Sequence, residues 1–507
     1  MKMRGITANY VFNVAGPILS LVVTLITIPI YISYIGVARY GLLAIVWRLL
    51  GYFGFLDLGL TRASANALAK LGDPSLREER EKVLVTAFWT NLCSGAAAAI
   101  IFYFTGSILI EHLLTVPPYL KPEIETSLPW VACVLPLALV GNLGSGVLES
   151  RERFLAANVL GVVESTAGLV APVICAILIS PSLSVVIPAA VIARGLSVLL
   201  LLGFALRKEI PLNPRTFDWN RCKALLGYGG WISVSSFASP LLASVDQLMI
   251  GSVLGLAAVT HYSVPMSLVV RSQLLAAALS RTLFPRMSRF TRGEANELAE
   301  KALVTLAYGY GAICAPAIVV AGPFLQLWMG KDFGSIAGPI AELLLIGAWI
   351  NGLGFIPFAV MDGQGRPDVG GKIRALQLIP YVIVLWFSLN QFGLLGAAVA
   401  WNLMVISEAG LVFTAARFRP ALLVQLIPPL GFILAANLYV YISRPSILNA
   451  ILAGGVLAAG VGASAMKFDK NARNFVLSLR FPRPSKHATY PGTFHANTRS
   501  VNDRDQL

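Results

Sequence analysis

The sequence predicts an all-α integral membrane protein. About 14 transmembrane helices are expected, as two six-helix lobes around a central cavity plus two C-terminal helices. Three features carry this reading. Fourteen long apolar segments fill the 507 residues, and a bilayer-spanning helix needs about 20 apolar residues. Charged residues make up only 13% of the chain and mean hydropathy is +0.74, against about 25% charged in soluble domains. Basic residues mark every second gap between the segments. Assigning the gaps alternately to two sides puts 31 Lys and Arg on one side and 4 on the other, with the last 4 inside helices. Basic loops resist translocation, so the rich side is expected to be cytoplasmic, with both termini inside.

The first span, 6–33, follows Lys2 and Arg4. It exceeds the ~7–15 apolar residues of a signal peptide and reads as an uncleaved helix. The second, 40–66, is entered past Arg39 and left at Lys70, Arg77, Arg80 and Lys82. The third and fourth, 83–110 and 126–148, flank a far-side loop carrying Glu111, Pro117, Pro118, Glu123 and Glu125, and end at Arg151 and Arg153. The fifth and sixth, 156–180 and 183–206, complete a first lobe, 1–206. Residues 207–223, with Arg207, Lys208, Arg215, Arg221 and Lys223, read as a cytoplasmic linker. The second lobe, 224–421, holds spans 224–253, 258–284, 301–329, 335–361, 372–390 and 393–416. Its basic gaps carry Arg281, Arg286, Arg289, Arg292 and Lys301, then Arg366, Lys372 and Arg374. Helices 13 and 14, 422–442 and 446–466, stand outside the duplication. Residues 467–507, polar and interrupted by Pro482, Pro484 and Pro491, read as a disordered cytoplasmic tail.

Weak internal echoes support two halves. Pro17 and Pro240 are 223 apart, as are Arg48 and Arg271. Ala189-Ala190-Val191 and Ala397-Ala398-Val399 open helices six and twelve. Internal repeats of this kind are common in transporters that handle substrate at the repeat interface. Prolines within predicted helices, such as Pro172, Pro265 and Pro357, break backbone hydrogen bonds and add kinks.

The net charge of +14 does not indicate nucleic-acid binding, because nearly all the excess lies in the cytoplasmic loops and tail. Five scattered cysteines form no CxxC pair, and the four histidines, His112, His261, His487 and His495, belong to no metal or catalytic motif. No enzyme, metal or bound cofactor is expected.

The informative residues are ionisable groups at membrane depth, where a charge costs about 3 kcal/mol on insertion scales. They are Arg48, Asp57, Arg62, Glu164, Arg194, Asp246, Arg271, Glu342 and Glu408. Arg62 lies near the cytoplasmic end of its helix and is expected to snorkel. Asp57 reads as structural. Glu342 lies near an outer helix end and is expected to be solvated. Arg48, Arg194 and Arg271 lie too deep to snorkel easily. Either they form ion pairs that hold helices together, or they line a basic cavity for an anionic group. A guanidinium fork matches phosphate oxygens, and three in one cavity would suit a diphosphate. Asp246, Glu408 and Glu164 are candidates for ion coupling, by Na+ or H+, or for pairing with those arginines.

Several blocks resemble the polysaccharide flippases of the multidrug/oligosaccharidyl-lipid/polysaccharide exporter superfamily. The first runs from Tyr40-Gly41-Leu42 to Phe55-Leu56-Asp57-Leu58-Gly59-Leu60. A second comprises Asp246-Gln247-Leu248-Met249-Ile250-Gly251, Tyr262-Ser263-Val264-Pro265 and Leu283-Phe284-Pro285-Arg286-Met287-Ser288-Arg289. A third pairs Gly363-Gln364-Gly365-Arg366-Pro367 with Gly393-Leu394-Leu395-Gly396-Ala397-Ala398. The resemblance spans roughly residues 5–465 and excludes the tail. It implies a V-shaped pair of lobes, alternating access, and transport of polyprenyl-diphosphate-linked glycans across a bacterial inner membrane for surface or extracellular polysaccharide. Membrane lipids and other polysaccharide assembly proteins are the implied partners. Rival readings are a cation-coupled multidrug exporter, a lipid II flippase or sporulation-type relative, and a membrane polymerase or ligase. Drug cations favour net-acidic cavities, and the polymerase or ligase would need catalytic groups on a sizeable outer loop, whereas the outer loops here are short.

Overall fold

The computed structural model describes residues 22–53, 64, 68, 71, 76–207, 216–223, 242, 244–468 and 473. Among them there is no strand. In chain order the helices are α1 (Val22–Ile35), α2 (Val37–Phe53), α3 (Arg77–Ile108), α4 (Lys121–Ser150), α5 (Phe154–Leu178) and α6 (Leu183–Leu206). Next come α7 (Val245–Val253), α8 (Leu256–Ser272), α9 (Leu274–Met287), α10 (Arg292–Met329) and α11 (Lys331–Gly363). The last three are α12 (Pro367–Ala416), α13 (Ala421–Ser443) and α14 (Ile447–Phe468). Among the described residues, ten helical stretches are long and apolar enough to cross a membrane, α8 and α9 counting as one. The chain is thus an all-α, multi-pass membrane protein.

Helix α12 is a hairpin. Gly393 adopts φ 57°, ψ −137°, outside helical space, and a side chain on Gly396 would collide with the Ser388 carbonyl. Only glycine allows this reversal. Its two arms run antiparallel, with Gln377 Nε2 donating to Ser407 Oγ at 2.7 Å. The single residue Gly36, at φ 85°, likewise turns α1 into α2.

Several helices extend past the apolar windows. The Thr291–Glu294 capping box starts α10 nine residues before the expected span at 301. The i,i+4 pairs Lys82–Glu78 and Lys301–Glu297 carry α3 and α10 through polar sequence. Hydropathy marks the membrane, whereas capping and surface pairs set the helix ends.

Packing follows chain order. Helix α3 lies on α4, α4 and α5 lie on α6, α10 lies on α11, and α11 on α12. Helix α10 also supports α13 and α14. Trp349 Nε1 donates to the Ala307 carbonyl at 2.9 Å, fastening α11 to α10. At the arginine-poor end, Glu123 accepts both Arg39 Nη2, at 2.6 Å, and the Leu183 backbone N–H, at 2.9 Å. One carboxylate therefore ties together the starts of α2, α4 and α6.

Of the linker, residues 216–223 are described. They dock on α3, where Arg221 pairs with Glu79 and the Asp218 N–H donates to Thr86 Oγ1 at 3.0 Å. The backbone N–H of Arg221, with help from Asn220 and the Arg221 side chain, holds the Asp218 carboxyl below the usual carboxylate range. Helix α14 takes in Lys467 and Phe468, the first residues of the expected disordered tail; beyond it only residue 473 is described, and the others lie outside the described residues.

Candidate functional site

Helices α2 and α8, which the sequence echoes would make equivalent, pack across each other. Thr260 Oγ1 donates to the Val37 carbonyl at 2.6 Å, between residues 223 apart. One turn on, Gly41 lies so close to the Leu256 backbone that any Cβ would overlap its carbonyl oxygen. Nearby, Thr115 caps the seam, its N–H on the Gly251 carbonyl at 3.2 Å and its hydroxyl on the Ser252 carbonyl at 2.7 Å. Trp328 Nε1 donates to the Leu25 carbonyl at 2.7 Å. Ile28 and Ile32 of α1 pack into a cluster with Val264, Leu325, Phe333, Ala337 and Ala341. Among the described residues, hydrogen bonds join α1–α6 to α7–α12 from the arginine-poor end to the level of Arg271.

Gly41→Val is expected to force α2 from α8, costing about 1–3 kcal/mol of overpacking. The check is thermal unfolding of the purified protein, with Gly41→Ala intermediate; an unchanged transition for valine would show that the seam is looser than this geometry.

Arg271 sits on the seam about 22 Å along α8 from Leu256, at 1.5 Å per residue. Its Nη2 donates to Thr24 Oγ1 on α1 at 3.1 Å. Its Nη1 is buried without any hydrogen-bond partner, and none of the ion pairs among the described residues includes it. The Tyr40 side chain lies within electrostatic range of it.

The repeat gives Arg271 a counterpart. Arg48 on α2 lies within electrostatic range of Asp246 on α7, and of Tyr262 and Tyr381. Asp246 is 1% exposed, and its Oδ1 accepts the Gln247 N–H at 2.7 Å. Each arginine thus faces the first helix of the other half. Position 246 minus the repeat length is Val23, beside Thr24. One arginine therefore has a carboxylate in its field, and its twin bonds a hydroxyl. That asymmetry leaves Arg271 with donor capacity to spare.

The remaining candidates separate from this seam. Arg194 on α6 pairs with Glu164 on α5, Nη2 to Oε1, at 3.2 Å. These two helices pack on each other and on α4, so Arg194 belongs to a pair of its own. Glu408 is 9% exposed and accepts Arg374 Nε at 3.1 Å across the α12 hairpin. Its partner is thus Arg374, from the basic end, and none of the three deep arginines. The Arg374 guanidinium also lies over the Phe358 ring, 4.6 Å from its centroid. Asp57 and Arg62 lie outside the described residues.

Glu342 differs from the sequence expectation of a solvated group at a helix end. Helix α11 begins at Lys331 and ends at Gly363, which puts Glu342 within about 8 Å of its midpoint. It is half-buried at the crossing of α10 and α11. Sequence flagged the charge but misjudged its depth, because the apolar window began after the helix did. Among the described residues, no group of three or more His, Cys, Asp or Glu is placed to hold a metal ion.

A family model described as "Polysaccharide biosynthesis protein" matches residues 37–337. A protein of Shigella flexneri named as a candidate O-antigen transporter is 28% identical over 410 residues, covering 80% of this chain and 96% of that one. EpsK of Bacillus subtilis (strain 168), an uncharacterized membrane protein, is 21% identical, covering 79% and 80%. Among solved structures, the lipid II flippase MurJ in an inward closed conformation gives a TM-score of 0.74 at 12% identity, covering 92% of this chain and 100% of that one. An inward-facing multidrug resistance MATE family transporter of the MOP superfamily gives 0.64 at 16% identity, covering 82% and 98%. At such identities these two structures establish a shared fold.

Proposed function

The chain belongs to the polysaccharide biosynthesis protein family, and from that membership we propose that it is a flippase for polyprenyl-diphosphate-linked oligosaccharide repeat units. It is a transporter, and no catalytic chemistry is assigned to it. The substrate crosses a bacterial inner membrane from the cytoplasmic to the outer leaflet by alternating access. The arginine-rich ends face the cytoplasm, as loop charge predicts. Residues 1–206 and 224–421 act as the two moving lobes.

The observation that carries this reading is Arg271. It is a permanently charged fork at membrane depth, on the seam between the two halves, with no carboxylate partner among the described residues and one buried unbonded nitrogen. A diphosphate oxygen supplies what that nitrogen lacks. Arg48 is the second contact, exchanging the field of Asp246 for that of the substrate. Arg194 is assigned to structure through Glu164. The glycan fills the aqueous space between the lobes and the polyprenyl chain stays in lipid.

The test is deletion of the gene in its host, followed by complementation. Loss of surface or extracellular polysaccharide is expected, with lipid-linked repeat units accumulating where impermeant sugar-modifying reagents cannot reach them. Unchanged polysaccharide together with altered drug susceptibility would reject this reading for that of a drug exporter.

A further inference from the structure

We propose that Glu342 is a proton-binding site that couples proton movement to the transport cycle. The inference rests on the proposed function for its transport arm only.

Elimination comes first. Of the described carboxylates at membrane depth, a set that leaves out Asp57, Glu164 is held by Arg194, Glu408 by Arg374, and Asp246 lies in the field of Arg48. Among the described residues, Glu342 has neither an ion pair nor a hydrogen bond. A carboxylate deep in a membrane span with no cation is costly when ionised, and neutralisation by a proton removes that cost.

The surroundings suit a neutral acid. A methyl group on Gly322 would stand 3.1 Å from Glu342 Oε1, and one on Gly338 would stand 3.0 Å from Gly322 Cα. These glycines let α10 and α11 approach and leave a slot for the carboxyl group. Gly338 lies against Gly322, and Gly334 against Gln326. That antiparallel register sets Glu342 level with Ile318, next to Val319. Pro323 lies inside α10, and its missing N–H removes the usual helical donor to the carbonyl four residues earlier, that of Val319. Val319 is fully buried. A carboxylate offers that carbonyl nothing, whereas a carboxylic acid offers an O–H.

Few charged groups compete. Helix α10 carries no Asp, Glu, Lys, Arg or His after Lys301, and α13 carries none at all. The titratable groups of α10 over that stretch are Tyr308, Tyr310 and Cys314, and those of α13 are Tyr439 and Tyr441. Helix α8 contributes His261, stacked on Phe333, and Arg271, which is bonded to Thr24. The charges of α9 are Arg281 and Arg286. Those of α12 are Asp368, Lys372, Arg374 and Glu408, with Asp368 and Glu408 each neutralised by a partner. On α11 itself Lys331, Asp332 and Asp362 sit near the ends.

Coupling follows from the neighbouring residue. Ala341 packs in the cluster that seats Ile28 and Ile32 of α1 against the later helices. With this seam closed, Glu342 holds a proton. When α1 leaves and water reaches α11, the acid transfers its proton to water and the carboxylate is solvated. Closing the seam again requires that a proton return.

The test uses the full chain in phospholipid nanodiscs and infrared difference titration. The wild type is expected to show a protonated side-chain carboxyl band that disappears at alkaline pH. Glu342→Gln, a neutral isostere that keeps the packing, is expected to remove that band and one titratable proton while leaving thermal unfolding unchanged. In cells, the same variant should lower glycan export at normal protein level, on the order of tenfold for a coupling of this kind. Glu342→Asp should restore the band and part of the export. An identical band and proton count in Glu342→Gln overturns the inference, as does a carboxylate signal that responds to Na+ instead of pH. A wild type that moves no glycan, with the band present, rejects the proposed function and leaves the proton site standing.

Discussion

Arg271→Ala is expected to cripple glycan export while leaving the protein folded and present at near-normal level. Among the described residues the guanidinium has one hydrogen bond, to Thr24, and no carboxylate to strand, so its loss costs the resting structure little. Hydrogen bonds to charged groups contribute about 1.5–3 kcal/mol each, so losing one bond from the substrate lowers export by about 10- to 100-fold. Arg271→Lys keeps the charge but not the planar fork, and partial activity is expected. Thr24→Val separates positioning from binding, since it removes the hydroxyl that orients Nη2 while the charge remains. The measurement is surface polysaccharide normalised to membrane-inserted protein. Full activity in Arg271→Ala would eliminate this arginine as a substrate contact. A parallel fall in protein level would move it to the structural class.

Arg194→Ala should behave in the opposite way. It leaves Glu164 ionised in a membrane helix without its cation, at a cost of about 3 kcal/mol on insertion scales. Protein level and thermal stability are expected to fall together. Removing both members, Arg194→Ala with Glu164→Ala, should restore much of the level, because the stranded charge goes with them. The two singles and the double form a cycle that isolates the pair. A double mutant that recovers its level but exports nothing would return Arg194 to the substrate site.

The spans and their partners were not equally legible. Charges inside apolar runs stand out at once, so Arg48, Arg194, Arg271, Asp246, Glu164, Glu342 and Glu408 could all be named as candidates from hydropathy alone. Which of them meet could not be read off. Glu408 meets Arg374 only because Gly393 folds α12 back on itself, and a residue 34 positions away carries no local signal of contact. Arg374 itself passed as an ordinary cytoplasmic charge. Glu342 was visible as a charge, but its depth depends on where α11 starts, and that start is set by Gly330 and not by hydropathy.

The sequence by itself determined the class and the run of membrane helices, and it suggested a repeat of 223 residues. These follow from properties summed along the chain: apolar length, charge spacing and self-similarity. Only the tertiary structure decided which buried charges are neutralised and which are not. The energy of a charge in the membrane depends on groups within a few ångströms of it, contributed by helices far away in sequence. Two arginines equivalent by the repeat therefore differ in chemistry. Arg48 has Asp246 in its field, and Arg271 has the hydroxyl of Thr24.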